Sequence, residues 1–449
     1  MNFISFMTII MKNKTMDQLK KKFVEKALPR VADFKKLMTE HAGTEIGTVT
    51  IGSVLSGMKG TVSLLTDTSK LDPEEGIRFR GYSIPELRKM LPKANPEGEP
   101  LPEGLFYLMM IGELPSDEDV AGISRNWAER SNLPDYVYKV LDAMPLDSRP
   151  MVQFSTAILS MASDSKFLHA YMEGTGKQDY WDSTYEDIMD LIARLPRIAA
   201  YIYRRMYHDN KQIEPDKSLD WAANLAHMMG YDTLEVFRLM RLYMFLHADH
   251  EGGNVSAHTS HLVGSALSNP YYSYAAGMTG LAGPLHGFAN QEVIRWVLAM
   301  QKEIGYSCDD KVKIRDYVIR QINEGKVIPG YGHAVLRKTD PRFTAQFEFG
   351  KKYLPGDALF RTVECLFEVV PEVLGSVQKI KNPWPNVDAG SGVLLLHYGI
   401  KEFEFYTCLF GVSRSLGVLA QLLWDRAYGM PIERPTSHPL EWFKEQAGM

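Results

Sequence analysis

The sequence predicts a mainly α-helical protein, built as two domains or as one large helical body carrying a smaller helical lobe. A cleft between the two is the natural ligand site, and a minor β-hairpin is expected in the first third. Three observations point there. Apolar residues recur at three- and four-residue spacing through most of the 449-residue chain, while alternating runs are short and confined mainly to Gly60–Ser83. That length exceeds what one compact core usually organises. Apolar residues make up 45% and charged residues 23%, a composition that supports a large core and is unlike a disordered or membrane chain.

In chain order, Met1–Ile10 is apolar but its lysines follow the apolar stretch, the reverse of a secretory signal. The leader has no arginine and no acid before Asp17. This favours a cytoplasmic protein, with the mitochondrial matrix as the alternative and Met11 or Met16 as equally eligible starts. Val62–Leu65 and Ile77–Phe79 flank a turn-rich Asp72-Pro73 and are expected to pair. Leu91–Pro102, with four prolines and Gly98, reads as a surface loop. Val236, Leu239, Met240 and Tyr243 share a helical face, with Asp232 and Glu235 spaced as a capping box. A second amphipathic helix is expected over Ala289–Ile304, ended by Gly305.

From Gly252 to Gln291 there is no Asp, Glu, Lys or Arg, yet the stretch holds His258, His261 and His286. Burial is expected. Asn269-Pro270 and several glycines interrupt it, so it is no membrane span. Its small residues, among them Ser256, Ser260 and Gly264, suit close helix approach at a subunit interface and suggest a homodimer.

The formal charge of -5 and the lack of a basic, aromatic-interleaved run argue against a nucleic-acid partner. Cys308, Cys365 and Cys408 form no C-x-x-C pair, which disfavours a disulfide framework or thiolate metal site and fits a reducing compartment.

His250, His286 and His333 each stand where a helical pattern breaks at glycine or proline, positions that allow a backbone to approach a ligand closely. Any one of them alone reads as a core or loop histidine; three in like contexts suggest chemistry. His247 with His250, and His258 with His261, are spaced for one helical face. No H-E-x-x-H or nearby thiolate completes a zinc site, so no metal is expected and His258 and His261 read as helix packing. Arg414 sits in an apolar helical stretch, Leu409–Trp424, where a guanidinium needs an anionic partner from the fold or from a ligand. Arg342 and Arg434 adjoin proline turns and read as ligand contacts or as solvated charges. Asp388 follows a stiff Asn-Pro-Trp-Pro-Asn-Val segment and reads as a helix cap, a base, or both.

At these residues the chain resembles the citrate synthase family in its eukaryotic-like dimeric branch. The blocks are HADHEGGNVSAHTSHLVGSAL from His247, GLAGPLHGFANQE from Gly280, PGYGHAVLRKTDPR from Pro329, NPWPNVDAGSG from Asn382 and FGVSRSLGVLAQ from Phe410. LDPEEGIRFRGYSIPE from Leu71 and LPEGLFYL from Leu101 extend the likeness to nearly everything after about Lys20.

The resemblance implies condensation of acetyl-CoA with oxaloacetate, entering the tricarboxylic acid cycle, with acetyl-CoA as substrate and no cofactor. It gives His286, His333 and Asp388 as catalytic, and His250, Arg342 and Arg414 as oxaloacetate-binding. Arg434 would come from the partner of a homodimer. CoA would lie against Val327, Gly330, Gly332, Arg337 and Lys381. Ser56 and His169 stand where relatives often have CoA-contacting arginines, with Lys59, Lys379 and Lys381 as candidate replacements. The implied large domain comprises residues 1–287 with 400–449, and the small lobe 288–399. A 2-methylcitrate synthase, taking propionyl-CoA, would use the same groups and differ by one methylene. A catalytically dead scaffold would be expected to lack one of them.

Overall fold

The computed structural model describes residues 17–305, 310–333, 335–378 and 382–449. The leader, Cys308, Lys379 and Lys381 lie outside them. Helix dominates, as the spacing predicts, and the described residues add a single three-stranded antiparallel sheet. That sheet corrects the expected hairpin. β1 (Ser69–Asp72) pairs with β2 (Gly76–Phe79), Leu71 opposite Ile77, and β3 (Tyr82–Ser83) adds to β2. Val62–Leu65 forms no strand, and Val62 is 67% exposed. Asp72 Oδ1 accepts the Glu74 and Glu75 N–H groups at 2.8 and 2.9 Å, closing the turn directly on the residues beside it.

The helices that frame the site are α1 (Pro150–Ser160), α2 (Tyr180–Tyr207), α3 (Leu234–Leu246), α4 (Val255–Ser265) and α5 (Pro270–Leu281). They continue with α6 (Ala289–Ile304), α7 (Lys311–Asn323), α8 (Pro341–Tyr353), α9 (Ala358–Val373), α10 (Asp388–His397) and α11 (Tyr406–Tyr428). α11 is the central rod. All its residues but Ala427 are buried, and α2, α3, α4 and α5 pack around it. It is long and apolar enough to cross a bilayer, but here it is the enclosed core of a helical bundle.

α6 has the expected bounds and ends at Gly305, φ 110°. The cap of α3 differs from expectation: Thr233 Oγ1 accepts from Val236 N, while Asp232 pairs with His227 Nδ1 at 2.5 Å and is unavailable for capping. Leu91–Pro102 is a loop apart from one bridge, Lys93 with Pro100, until Pro102 opens the next helix.

The uncharged stretch is buried on one face only. Ser256 and Ser260 of α4 lie so close to α5 that a Cβ on Gly277 would sit 2.1 Å from Ser260 Oγ. The small residues thus serve a helix contact within the chain. On the outer face Val255, Leu262 and Tyr272 are 54%, 43% and 45% exposed. A second, smaller apolar cluster joins Val293, Val297 and Met300 of α6, Ile314 and Val318 of α7, and Leu366, Val369 and Val370 of α9.

Candidate active site

The segment after α3 forms one wall. His247 Nδ1 donates to Tyr243 O at 2.9 Å while its ring stacks on Tyr243, centroids 4.1 Å apart. Asp249 accepts from Thr68 Oγ1 at 2.6 Å, Ser69 Oγ at 2.8 Å and His250 N at 2.9 Å, which ties the wall to β1. Gly417 N donates to Ala248 O at 3.2 Å and lays the segment against α11. His250 is thereby fixed with its ring 5.7 Å from that of His333, and its buried Nε2 has no hydrogen-bond partner among the described residues. Burial pushes the His250 imidazolium well below its ordinary range, and Arg342, Arg414, His333 and His286 push the same way. His250 is therefore neutral and surrounded by those four groups.

Arg414 projects from α11 into the same wall. Its Nε donates to His247 O at 3.0 Å, and Nη1 donates to Asn254 Oδ1 at 3.1 Å and Ser256 Oγ at 3.3 Å, with the guanidinium 4.7 Å from the Phe410 ring centre. No carboxylate among the described residues lies within ion-pair distance of it. Burial lowers its pKa to about 10, so it stays cationic, held by neutral acceptors and able to take an anionic ligand.

Arg342 departs from the solvated-charge alternative. It is buried in the first turn of α8, with Nε 3.1 Å from both Asp340 oxygens and Nη2 2.7 Å from Oδ2. Asp340 also caps α8 through Arg342 N at 2.9 Å. The third guanidinium nitrogen, Nη1, makes no hydrogen bond to a described residue.

The two remaining histidines have their tautomers set by backbone donors. Val335 N and Leu336 N donate to His333 Nδ1 at 3.0 and 3.1 Å, which leaves the ring proton on Nε2. Ser256 N donates to His286 Nε2 at 3.3 Å, and Ser256 Oγ lies 3.0 Å from the same nitrogen. A backbone N–H can only donate, so the His286 proton sits on Nδ1. Burial, then Arg414, lowers the His286 pKa to about 4, and burial, then Arg342, lowers that of His333, so both are neutral N–H donors near pH 7.

Asp388 is the first residue of α10, not its cap. Its N–H donates to Asn386 Oδ1 at 3.0 Å. Burial raises its carboxyl to about 6, with Arg342 and Arg414 pulling it back. His333 and Asp388 arrive together because residues 330–332 and 384–386 are stitched: Gly332 N to Trp384 O and Asn386 N to Gly330 O, both 2.9 Å, and Asn386 Nδ2 to Gly332 O at 3.2 Å. Gly330 has φ 80°, and a Cβ there would lie 2.8 Å from Val293 Cγ2 and 3.1 Å from Ala389 Cα, so a side chain would push the stitch off α10.

The other expected residues lie apart. Val327 is 83% exposed. Arg337 is exposed, with Nη1 donating to Val335 O at 2.7 Å and Leu336 O at 3.0 Å. Ser56, Lys59 and His169 are exposed, and Lys381 lies outside the described residues. Arg434 is exposed on the segment after α11 and touches none of the clustered groups within one chain. His258 and His261 do more than pack: they face Glu433 and Asp425. Sequence reasoning missed Ser256, Asn254, Asp249, Asp340 and Asn386 as supports. Asp340 and Asn254 carried a local signal, an Asp-Pro and an Asn at helix starts.

A family model described as "Citrate synthase, C-terminal domain" matches residues 57–436. The chain is 55% identical over 410 residues to a Daucus carota protein named "Citrate synthase, mitochondrial", covering 91% of this chain and 87% of that one. A Kajikia audax protein of the same name is 55% identical over 415 residues, covering 92% and 88%. The crystal structure of citrate synthase from Pyrobaculum aerophilum matches with a TM-score of 0.74 at 28% identity, over 86% of this chain and 95% of that chain.

Proposed function

The chain belongs to the citrate synthase family, and on that premise we propose that it joins the methyl carbon of acetyl-CoA to the keto carbon of oxaloacetate and hydrolyses the product thioester to citrate and CoA. The observation that carries the reading is a buried carboxylate, Asp388, facing Arg342 and Arg414, the same two cations that the imidazoles of His250, His286 and His333 face, with the tautomers of His286 and His333 fixed by backbone donors. Asp388 takes a methyl proton while His286 Nδ1–H stabilises the oxygen of the forming enolate, which a carboxylate base requires for a carbon acid. The new carbon nucleophile attacks the oxaloacetate ketone, and His333 Nε2–H meets the developing alkoxide. Water then splits citryl-CoA, leaving the carboxyl of citrate and the thiol of CoA. No step requires a metal or redox cofactor.

Arg414 and Arg342 Nη1 suit the two substrate carboxylates, with His250 beside them. Arg434 completes the cradle from the partner of a homodimer. Support for the dimer is the apolar surface left open on one chain: Val255 and Leu262 on α4, and Ile46, Val49, Leu55 and Val62 before β1. A groove of roughly 910 Å³ between α1 and α5, lined by Val152, Leu159 and Tyr272, continues that face. Residues 288–399, which contain the smaller apolar cluster, act as the lobe that closes over substrate. CoA lies along Val327–Gly332 with Arg337 near its phosphates. The mitochondrial names of the relatives favour the matrix over the cytoplasm.

The test is the initial rate of free-thiol release from acetyl-CoA, with and without oxaloacetate, after chelator treatment and with propionyl-CoA in parallel. Oxaloacetate-dependent, chelator-resistant release favouring acetyl-CoA is expected. A propionyl preference would make the enzyme a 2-methylcitrate synthase, and no release would leave a helical scaffold. Mixing Arg434→Ala with His286→Ala chains is expected to restore activity in heterodimers.

A further inference from the structure

α11 ends at Gly429, φ 68°, and the chain continues as an arm without helix or strand to Pro439. Within the described residues, the hydrogen bonds and ion pairs joining 431–439 to the body all run through Glu433. Its N–H donates to Ser265 Oγ at 3.0 Å, Oε1 lies 3.0 Å from His258 Nε2, and Oε2 lies 3.5 Å from His261 Nε2. His258 and His261, three apart on α4, present both rings on one face. The other nitrogen of His261 is 2.9 Å from Asp425 Oδ2, and the second oxygen of Asp425 accepts from Gln421 Nε2 at 2.9 Å. An imidazole with a carboxylate at each nitrogen is favoured as the cation, and His261 is shifted up chiefly by its hydrogen bond to Asp425. The anchor is thus a built cluster, and the residue after it is Arg434.

We infer that Glu433, clamped by His258 and His261, is a positioning residue that fixes the direction and reach of Arg434. This rests on the reading of Arg434 as an oxaloacetate ligand donated across the dimer. Arg434 directly follows the anchor, and Pro435 after it confines the arginine to extended backbone, so little freedom separates the two. An arm held only by apolar contact could slide. One held at Glu433 presents the guanidinium at a set place, the preorganisation on which binding of a small dianion depends. α4 also bears Ser256, which contacts His286 and Arg414, so one helix supports its own site and aims an arginine at the partner's.

The experiment is a double-mutant cycle in the full-length protein, read as the KM for oxaloacetate, the KM for acetyl-CoA and kcat. Glu433→Ala is expected to raise the oxaloacetate KM about tenfold, with kcat and the acetyl-CoA KM within about twofold, and Arg434→Ala about a hundredfold. The double variant should match Arg434→Ala alone, because Glu433 acts only through the arginine. Glu433→Asp and His258→Gln should fall between wild type and Glu433→Ala. Multiplying effects in the double variant, or an unchanged oxaloacetate KM in Glu433→Ala beside a raised one in Arg434→Ala, would overturn the inference. An unchanged KM in Arg434→Ala would instead sink the trans-arginine reading. Sedimentation checks assembly: if Glu433→Ala dissociates, Glu433→Gln and His258→Gln carry the cycle, and dissociation of all of them would make Glu433 an assembly residue and overturn the positioning role.

Discussion

Arg414 is gripped by His247 O, Asn254 Oδ1 and Ser256 Oγ at 3.0 to 3.3 Å, each of those groups held in turn by the end of α3 or the start of α4. Arg337, on the edge proposed for CoA, is exposed and turns Nη1 back to the carbonyls of Val335 and Leu336. Both are arginines proposed to meet anions, yet one is buried in its wall and the other is exposed to water. The contrast follows ligand size. A small dianion offers few atoms, so each contact must be strong, desolvated and preset. CoA is long and spreads its charge, so individual contacts at its solvent end can each be weak. Substitutions should therefore cost much at the wall and little at the edge.

The largest effect is expected at Asp388. Asp388→Asn should lower kcat by about 10²–10⁴-fold, as loss of a general base does, and thiol release measures it directly. In the wild type the base must be ionised, so kcat/KM should fall as pH drops through about 6 and stay level above it. The same charge has a cost to the fold. Its folded pKa stands above the ordinary 3.8, so the stability contribution is full below pH 3.8 and lost as pH rises through about 6. Asp388→Asn should then be more stable than wild type at pH 8 by on the order of 1–3 kcal/mol, and equal to it near pH 3.5, by thermal melting at the two pH values. Equal melting at pH 8 would mean that the carboxylate is solvated and no part of a dry wall.

Next come the donors behind the wall. Arg414→Lys keeps the charge but cannot reach His247 O, Asn254 Oδ1 and Ser256 Oγ together, so the oxaloacetate KM should rise about a hundredfold with the acetyl-CoA KM nearly unchanged. Ser256→Ala removes one hydroxyl shared by His286 and Arg414 and should cost about tenfold in kcat/KM, the scale of one lost hydrogen bond. A Ser256→Ala enzyme of wild-type rate would show that the backbone N–H of residue 256 alone is enough to set the His286 tautomer.

What the sequence made legible follows from which signals are local. The bounds of α6, and the placing of His250, His286, His333 and Asp388 where helical pattern breaks, are readable because glycine and proline punctuate the chain there. The turn at Asp72 and the strand after it are legible, but the strand before it is not, because Ser69–Asp72 has Leu71 as its one apolar residue and runs straight into the turn, while the more apolar Val62–Leu65 lies further upstream. From sequence His258 and His261 read as packing because their partner Glu433 lies 175 residues beyond His258, on the arm that follows α11. The Ser256–His286 contact depends in the same way on α4 docking beside the loop at 283–287. No spacing rule reports such contacts. Asp340 was within reach, and the rule for helix starts would have found it, but the sequence alone does not tell that Arg342 beside it is buried.

The smallest effect is expected at the edge, and it sharpens the comparison most economically. Arg337→Ala should raise the acetyl-CoA KM only about two- to fivefold, leave the oxaloacetate KM and kcat unchanged, and do so less at high salt, because an exposed guanidinium meeting a phosphate is screened by water and ions. Arg414→Lys should show no such relief with salt, its charge being enclosed. If instead Arg337→Ala cost a hundredfold, or its effect ignored salt, then the edge would be desolvated when CoA is bound. Closure of the 288–399 lobe would in that case bury the CoA contacts as deeply as the oxaloacetate wall, and the contrast between the two arginines would not survive substrate binding.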